Sequence, residues 1–280
     1  MGWFALSLLA GLFFASSRVV ARLVLRRAGN PLAFVAIHDF LSGLVLLPFL
    51  FISFSLPTKN ETWLFFLGIV VFAFLTDWLA FTALRAIDVS MYNIICQIRH
   101  ILILFGGLLI FQETITFYKV IAIILIITGV AIALYEKTKF KFDKGIFFTL
   151  LSTFFAIIAF LFAKQTVTDF DEVTVASLEL ILVGILGFSL LGFQPSKLVS
   201  EIKIQKWGLI IAGILFGGFE VLLFMALKIG EASRVIPVTQ SSLLFALLAG
   251  ILLLNERSRL LQKIFGSIII ALGIALMYLL

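Results

Sequence analysis

Residues 81–90 read FTALRAIDVS, and residues 224–233, which lie 143 positions further on, read FMALKIGEAS. The agreement extends beyond this stretch, to the pairs Gln97/Gln240, Glu113/Glu256 and, after a one-residue insertion, Lys119/Lys263. Self-similarity at one fixed period is typical of a protein built from structural repeats. The sequence therefore contains two copies of one unit, and each copy fills half of the chain.

The composition excludes a soluble protein. Hydrophobic residues make up 62% of the 280 residues and charged residues 13%, with a mean hydropathy of +1.22. Soluble domains carry about 45–50% apolar and about 25% charged residues. The net charge of +6 does not indicate nucleic acid as a partner, because the basic residues lie in short segments between apolar runs, as the flanks of membrane helices do. The predicted partner is the lipid bilayer.

Ten apolar runs are each long enough to cross a bilayer as a helix, which takes about 20 residues. They cover residues 2–24, 31–53, 62–84, 90–111, 116–135, 145–163, 173–193, 207–228, 233–254 and 260–280. Helices are required because lipid offers no hydrogen-bond partner to the backbone. Each repeat holds five runs, and since five is odd, the second repeat enters from the opposite side. The sequence predicts an all-α integral membrane protein with ten transmembrane helices, arranged as two inverted five-helix repeats.

The basic residues also predict an orientation. We call the membrane face opposite both termini face A, and the other one face B. Most Lys and Arg residues between the runs fall on face A, among them Arg26, Lys141 and Arg257. The positive-inside rule makes face A cytoplasmic, which places both termini outside the cell.

A family resemblance rests on the last part of each repeat. The residues that carry it are Ala226-Leu227-Lys228, Ser233, Pro237, Leu254-Asn255-Glu256-Arg257, Gly266 and Gly273 in the second repeat, and Ala83-Leu84-Arg85, Ser90, Gln112-Glu113 and Gly129 in the first. In these motifs the chain resembles the EamA-type permeases of the drug/metabolite transporter superfamily. The resemblance implies two EamA-like repeats, at 1–136 and 145–280, around a central substrate cavity, and export or uptake of small metabolites. It also implies cytoplasmic termini, in contrast to the charge distribution.

Ionisable residues inside the runs are candidates for a substrate site, because they are costly in a membrane and usually face a cavity or a partner. Six of them in the first repeat lie at a similar depth, roughly 10–15 Å from face A at about 1.5 Å per residue. These six are Arg18, His38, Asp39, Asp77, Arg99 and His100. The predicted substrate-binding residues are Arg18, His38, Asp39, Asp77, Trp78, Gln97, Arg99 and Gln240.

The two arginines inside the runs have two interpretations. A guanidinium fork matches a carboxylate or phosphate of a substrate, which gives Arg18 and Arg99 a binding role. Alternatively, Arg18 pairs with Asp39 and Arg99 pairs with Asp77, and these ion pairs tie helices together. For the two histidines the alternative to a functional role is hydrogen-bonded packing between helices.

The second repeat carries acids without a cation at similar depth in the same repeat. Glu179 and Glu220 lie within apolar runs, and Glu220 corresponds to Asp77 in the repeat register. Poor solvation favours the neutral form of a carboxyl group, so an acid in such a position can load and release protons. The sequence predicts proton coupling at Glu179 and Glu220. The alternative is that both acids are protonated and serve only packing.

Motifs for catalysis, for metal binding and for ATP binding are absent from the sequence, so no cofactor is expected. The predicted function is secondary transport of a small polar metabolite, an amino acid or a related organic acid, by alternating access. Two other classes stay open. One is an intramembrane enzyme that acts on a lipid headgroup through His38, Asp39 or His100, and the other is a non-transporting membrane receptor or assembly factor. The predicted location is the plasma membrane of a prokaryote.

Overall fold

The computed structural model describes residues 2–24, 30–84, 86–87, 89–135, 143–205, 207–252 and 259–279. In the first repeat these residues form helices α1 (Trp3–Val24), α2 (Pro31–Leu46, followed by a 3-10 helix at Leu47–Phe51), α3 (Asn60–Ala83), α4 (Val89–Ile95), α5 (Ile98–Phe111) and α6 (Phe117–Leu134). In the second repeat they form α7 (Lys144–Thr166), α8 (Glu172–Leu190), α9 (Pro195–Gln205), α10 (Trp207–Ile229), α11 (Ala232–Val238), α12 (Ser241–Leu252) and α13 (Leu260–Tyr278).

Ten stretches of these helices are long and apolar enough to cross a membrane. Their outer surfaces carry exposed large apolar side chains, for example Leu64, Leu109 and Leu261. In a soluble protein such a surface would be unstable, whereas in a bilayer it contacts lipid tails. The prediction of an all-helical protein with ten spans is confirmed.

Two spans that the sequence predicts as single helices are broken in the middle. α4 gives way to α5 at Gln97, and α11 gives way to α12 at Gln240. At each break the backbone N–H bonds to the carbonyl three residues earlier, from Gln97 to Ile94 and from Gln240 to Pro237, both at 3.1 Å. Proline interrupts a helix because it lacks a donor, but the first repeat has Ile94 at the position of Pro237. The first break therefore occurs without a proline at this position.

Helix α9 lies outside the ten predicted runs. Leu198 packs against the apolar residues Phe34 and Leu209, whereas Lys197 and Lys203 are exposed. A short helix with one apolar and one basic side is typical of segments that lie along a membrane surface. We infer that α9 lies in the plane of face A, between the spans α8 and α10.

The main helix pairs join one repeat to the other. α1 packs on α10 and α3 on α7, while α2 packs on α8 and α6 on α13. In the repeat register α1 corresponds to α7, α2 to α8, α3 to α10 and α6 to α13. Exchanging the repeats therefore converts the first pair into the second and each of the other two pairs into itself. This pattern requires a two-fold axis between the repeats and agrees with the predicted inversion.

Helices α6 and α13 approach each other at glycines. A Cβ atom on Gly129 would lie 2.8 Å from Gly266 O, and one on Gly266 would lie 2.6 Å from Ala133 N. Gly273, which corresponds to Gly129, faces Ala122 O at 2.8 Å in the same way. Small residues at such crossings let two backbones pack closely, which drives helix association in lipid.

We expect Gly266→Ala to destabilise the protein by about 1–3 kcal/mol, because the new methyl group meets backbone atoms of Gly129 and Ala133 and the Ala133 Cβ atom, none of which can rotate away. Thermal unfolding of the purified protein measures the effect. Gly2→Ala is the control, because a Cβ atom on Gly2 meets no atom within 4 Å. Equal melting temperatures for the two variants would show that the α6–α13 contact is looser than described.

Asp169, between α7 and α8, caps the start of α3 on face B. Its carboxylate accepts hydrogen bonds from the backbone N–H groups of Thr58 (2.9 Å) and Lys59 (3.0 Å), and from the hydroxyls of Thr58 (2.7 Å) and Thr62 (3.1 Å). The bond from the Lys59 N–H, and next the one from the Thr58 hydroxyl, hold the pKa of Asp169 below its usual range. A residue of the second repeat thus completes a helix of the first.

We expect Asp169→Asn to lower the melting temperature at neutral pH, because an amide offers one acceptor oxygen in place of two. A carboxyl group with a lowered pKa stabilises the fold at pH values above the unfolded pKa of about 3.9, and the contribution is lost as the pH falls through the lower folded pKa. The difference between wild type and variant should therefore shrink at acidic pH. A pH series of thermal unfolding curves measures it, and a difference independent of pH would contradict this role for the charge.

Candidate functional site

Charged side chains from five helices meet between the repeats. They are Arg18 of α1, Asp39 of α2, Asp77 of α3, Glu179 of α8 and Glu220 of α10, and we call them the central cluster. Asp77 and Glu220 both interact electrostatically with Asp39 and with the Arg18 guanidinium. Among the other acids of the cluster, Glu179 interacts most strongly with Glu220, and less strongly with Asp39 and Asp77. Both repeats therefore contribute acids to one site.

The cluster unites two groups that the sequence places apart. Counting residues from the ends of their own helices places Glu179 and Glu220 at a depth where the second repeat has no cation. The structure brings Arg18 to Glu220, because α1 packs on α10. The cation beside Glu220 thus comes from the first repeat, whereas the expectation concerned cations of the second repeat alone.

Asp77 and Glu220 show where the cluster lies. They correspond in the repeat register, and their carboxylates interact with each other. Two residues that a two-fold axis relates can be neighbours only close to that axis. The central cluster therefore lies on the axis, where a rocking movement of the repeats changes access most directly.

His38 and Asp39, which are adjacent in α2, form a pair. His38 Nδ1 lies 2.7 Å from Asp39 Oδ1, and both residues are buried. The imidazole ring stacks on Phe34, at 5.3 Å between ring centroids, and lies 4.8 Å from the ring of Phe216. Adjacent helical residues point about 100° apart, yet the two side chains meet, so His38 belongs to the surroundings of the cluster.

Arg18 is held by aromatic rings. Its guanidinium carbon lies 4.8 Å from the centre of the Phe14 ring and 5.6 Å from that of Phe81. The hydroxyl of Tyr92 also interacts with Arg18 and is within hydrogen-bonding reach of Ser152. The acids shown to interact with Arg18 are Asp77 and Glu220, while Oδ1 of Asp39 bonds to His38. The pairing of Arg18 with Asp39 stays a prediction. Tyr92 joins the site without having been among the predicted binding residues.

A second group of predicted residues lies at the two helix breaks. Arg99 donates from Nη2 to Gln240 Oε1 at 3.2 Å, and Gln97 donates to Asn93 O at 2.7 Å. His100 is 1% exposed, and its ring interacts with Arg99 and with the Gln240 side chain. The structure therefore joins Arg99 to the other repeat through Gln240, whereas the sequence offered Asp77 as its partner.

Trp78 differs from the other predicted residues. Its ring stacks on Phe74 of the same helix at 6.1 Å, and it is 39% exposed. Among the described residues, Phe74 is the one whose ring contacts the Trp78 ring. Its substrate-binding role stays a prediction without a contact to support it.

A buried ionic network joins the repeats near face B. Glu113 follows α5, is 7% exposed, and accepts hydrogen bonds from the backbone N–H groups of Ala232 (2.7 Å) and Ser233 (3.0 Å) at the start of α11. Lys119 of α6 is fully buried, pairs with Glu231 at 2.5 Å, and donates to Ser233 Oγ at 3.2 Å. We call Glu113, Lys119, Glu231 and Ser233 the face B clasp.

The clasp was not among the predicted sites. Judged from its own helix, Glu113 reads as a solvated end residue, and its partners lie more than a hundred residues away in the chain. The sequence indicates the clasp only through the repeat, because Glu and Lys are kept in both copies at the positions Glu113/Glu256 and Lys119/Lys263. Glu256, interpreted in the same way, lies outside the described residues.

The fold and the buried charges define an integral, multi-pass membrane protein made of two inverted repeats around ionisable residues. The model of the EamA-like transporter family matches the chain twice, at residues 1–135 and 143–279. The chain belongs to the EamA-like transporter family and is a membrane transporter, as the resemblance in its motifs predicts.

One curated protein and one solved structure are similar to this chain. A protein of Sinorhizobium sp described as an "Uncharacterized transporter in cobO 3'region" is 33% identical over 134 residues, which cover 47% of this chain and 94% of the relative. A chain in a solved crystal structure is 14% identical and matches with a TM-score of 0.75 over 99% of this chain and 98% of that one. The second likeness shows the fold alone. The bacterial relative fits the predicted plasma membrane of a prokaryote.

Lys119 also donates to the Thr114 carbonyl at 2.6 Å, and Glu231 has Arg234 as a second cation at 2.7 Å. We expect Lys119→Met to destabilise the protein by up to about 3 kcal/mol, because it leaves the Thr114 carbonyl without its donor and Glu231 without its buried cation. Thermal unfolding in detergent measures the effect. Lys228→Met is the matched control, since Lys228 is 41% exposed and pairs with Glu172 at 2.9 Å, and surface pairs contribute about 0–1 kcal/mol. Equal losses for both variants would show that the clasp is no stronger than a surface ion pair.

Proposed function

We propose that the protein is a secondary transporter that moves a small polar metabolite by alternating access, with proton coupling at Glu179 and Glu220. One observation carries the proposal: acids of both repeats meet on the two-fold axis, at Asp77 and Glu220. Inverted-repeat transporters bind their substrate at the repeat interface near the middle of the membrane. Buried ionisable residues there are costly, and function is the usual reason for keeping them.

The contacts between the repeats support movement about this axis. The face B clasp and the Asp169 cap both connect the first repeat to the second on face B. Opening a path from the central cluster to face B requires these contacts to separate. Polar networks of this kind suit a gate, because they have discrete broken and formed states.

The residues around the cluster support an amino acid or a related organic acid as the substrate. Arg18 at the centre and Arg99 at the helix break offer guanidinium groups to a carboxylate. The acids of the cluster offer acceptors to an amino group. Asp39, Asp77 and Gln240 are the further proposed substrate contacts, with His38 and Gln97 positioning them.

Proton coupling rests on the position of the acids. Four carboxyl groups that interact with one another, two of them with the Arg18 guanidinium, cannot all be ionised at low cost in a poorly solvated interior. A proton taken up on one side of the membrane and released on the other would drive substrate accumulation. Glu220 is the leading candidate, because it lies on the axis, and Glu179 is its neighbour.

We expect Glu220→Gln to keep exchange of substrate across the membrane and to lose accumulation driven by a pH gradient, since the amide mimics the neutral acid and cannot release a proton. Uptake into liposomes containing purified protein, with and without an imposed gradient, separates the two activities. Glu61→Gln is the control, because Glu61 is an exposed acid in the first turn of α3.

Gradient-driven accumulation by Glu220→Gln at the wild-type level would remove this residue from the coupling mechanism. The same liposomes test the other functional classes. Chemical change of a lipid headgroup without flux would favour the intramembrane enzyme, and neither flux nor chemistry would favour a receptor or assembly factor.

A further inference from the structure

We infer that the central cluster recognises a cationic nitrogen of the substrate, held between Asp39 and Glu179, and that a carboxylate on the substrate is dispensable. The inference rests on the proposed transport function and defines the chemical class of its substrate. It separates amines and amino acids, which carry the required ammonium group, from organic acids, which do not.

The first support is the balance of charge. Among the described residues the cluster contains four carboxyl groups and one guanidinium group. Arg18 interacts with Asp77 and Glu220, whereas the interactions found for Glu179 are with acids alone. On the side of the cluster formed by α2 and α8, His38 bonds to Oδ1 of Asp39, and the interactions found for Glu179 include no basic group. Glu179 and Oδ2 of Asp39 are therefore the groups on this side that a positive charge would complement. An anion placed there would add a further like charge in a region of low dielectric.

The second support is a pair of buried oxygens without partners. Asp39 is 2% exposed and Glu179 is 4% exposed. Within the described part of the chain, Asp39 Oδ2 and Glu179 Oε2 accept no hydrogen bond. More than about 90% of buried polar atoms have a partner, so two such atoms in one cluster need an explanation. An ionised carboxylate only accepts hydrogen bonds, and an ammonium group, with three N–H donors, satisfies both oxygens.

The packing of helices brings these two residues to one place. α2 and α8 form one of the four main pairs between the repeats. A Cβ atom on Gly184 would lie 2.7 Å from Phe40 N, so the two backbones approach closely one turn away from Glu179. Glu179 and Asp39 interact electrostatically across this contact. The site is thus formed by rigid helices.

The third support is an aromatic surface that extends from Arg18 to Phe216, whose ring lies 4.8 Å from His38, the neighbour of Asp39. Phe14, which already holds the Arg18 guanidinium at 4.8 Å, lies 4.7 Å from Phe219 and 6.5 Å from Phe216. The face of an aromatic ring attracts cations and repels anions. The same rings suit the ammonium group, or the apolar part next to it, of a bound amine.

Two matched series of compounds test the inference on the purified full-length protein. One series is 2-phenylethylamine, L-phenylalanine and 3-phenylpropionate, and the other is 3-methylbutylamine, L-leucine and 4-methylpentanoate. Within a series the carbon skeleton is kept while the amino group or the carboxylate is removed. Equilibrium binding is measured by titration calorimetry in detergent at mildly alkaline pH. We expect the amine and the amino acid of at least one series to bind, and neither deaminated acid to bind.

Variants locate the site. Glu179→Gln and Asp39→Asn should each weaken amine binding by about tenfold or more, the effect of losing a charged hydrogen bond. Glu179→Asp keeps the charge and should retain part of the affinity, which separates loss of binding from loss of folding. Glu61→Gln, an exposed acid on α3, should leave binding unchanged.

Tight binding of a deaminated acid, absence of binding by all amines and amino acids, or wild-type affinity in Glu179→Gln would overturn the inference. Binding at equilibrium does not require transport. Amine binding without flux in liposomes would therefore reject the transport function and keep the site. Flux of a deaminated acid together with no amine binding would reject the site and keep the transport function.

Discussion

A unit with an odd number of membrane spans has its two ends on opposite faces, and the rest of the structure depends on this constraint. A second copy attached by a short connection must cross the membrane in the inverted sense. The inversion pairs α1 with α10 and α3 with α7, and it sets α2 against α8 and α6 against α13. It also brings Asp77 and Glu220 together on the axis, which neither repeat could do alone. The most expensive residues of the chain therefore lie where the two copies meet, and stability and function are coupled at one place.

The repeats also complete each other's helix ends. In lipid each backbone group needs a partner from the protein. Asp169 supplies acceptors to the start of α3, and Glu113 supplies them to the start of α11. Lys164 donates to the carbonyls of Leu227 (2.5 Å) and Gly230 (2.6 Å) at the end of α10. The groups at the start of α11 are buried and those at the end of α10 are partly buried, and a buried group left without its partner costs about 1–3 kcal/mol. A single repeat would leave these costs unmet, whereas the groups at the start of α3 are exposed. The contacts that a transport cycle breaks are thus also contacts that hold the fold together, which limits how many can open at once.

The sequence predicts the spans and the repeats well, because membrane thickness and the parity of the spans are strong constraints that a hydropathy pattern reveals. It does not predict the break at Gln97, since Ile94 gives no local reason for one, and the partner of Arg99 beside the break is Gln240 of the other repeat. Glu113 reads as solvated because its partners are distant in the chain. The depth of a residue along its own helix does not show which helices pack together. The sequence therefore does not predict that Arg18 lies near Glu220, which follows only from the packing of α1 on α10. In each case the missing information is a contact between the two repeats.

Residues kept in both copies and residues found in one copy have different positions. The kept pair Asp77 and Glu220 lies on the axis, and kept residues such as Glu113 build the contact between the repeats on face B. Arg18 and Glu179, by contrast, have the apolar residues Leu161 and Ala36 at the corresponding positions of the other copy. A transporter that opens alternately to two membrane faces benefits from equivalent residues in its two repeats, because its inward-open and outward-open states then have similar free energies. A small metabolite has no two-fold symmetry, so a fully symmetric site could not distinguish its two ends. Both demands are met when the residues on the axis are kept in both repeats and the residues around it differ. The kept residues support the movement, and charges present in only one repeat make the two ends of the substrate site different.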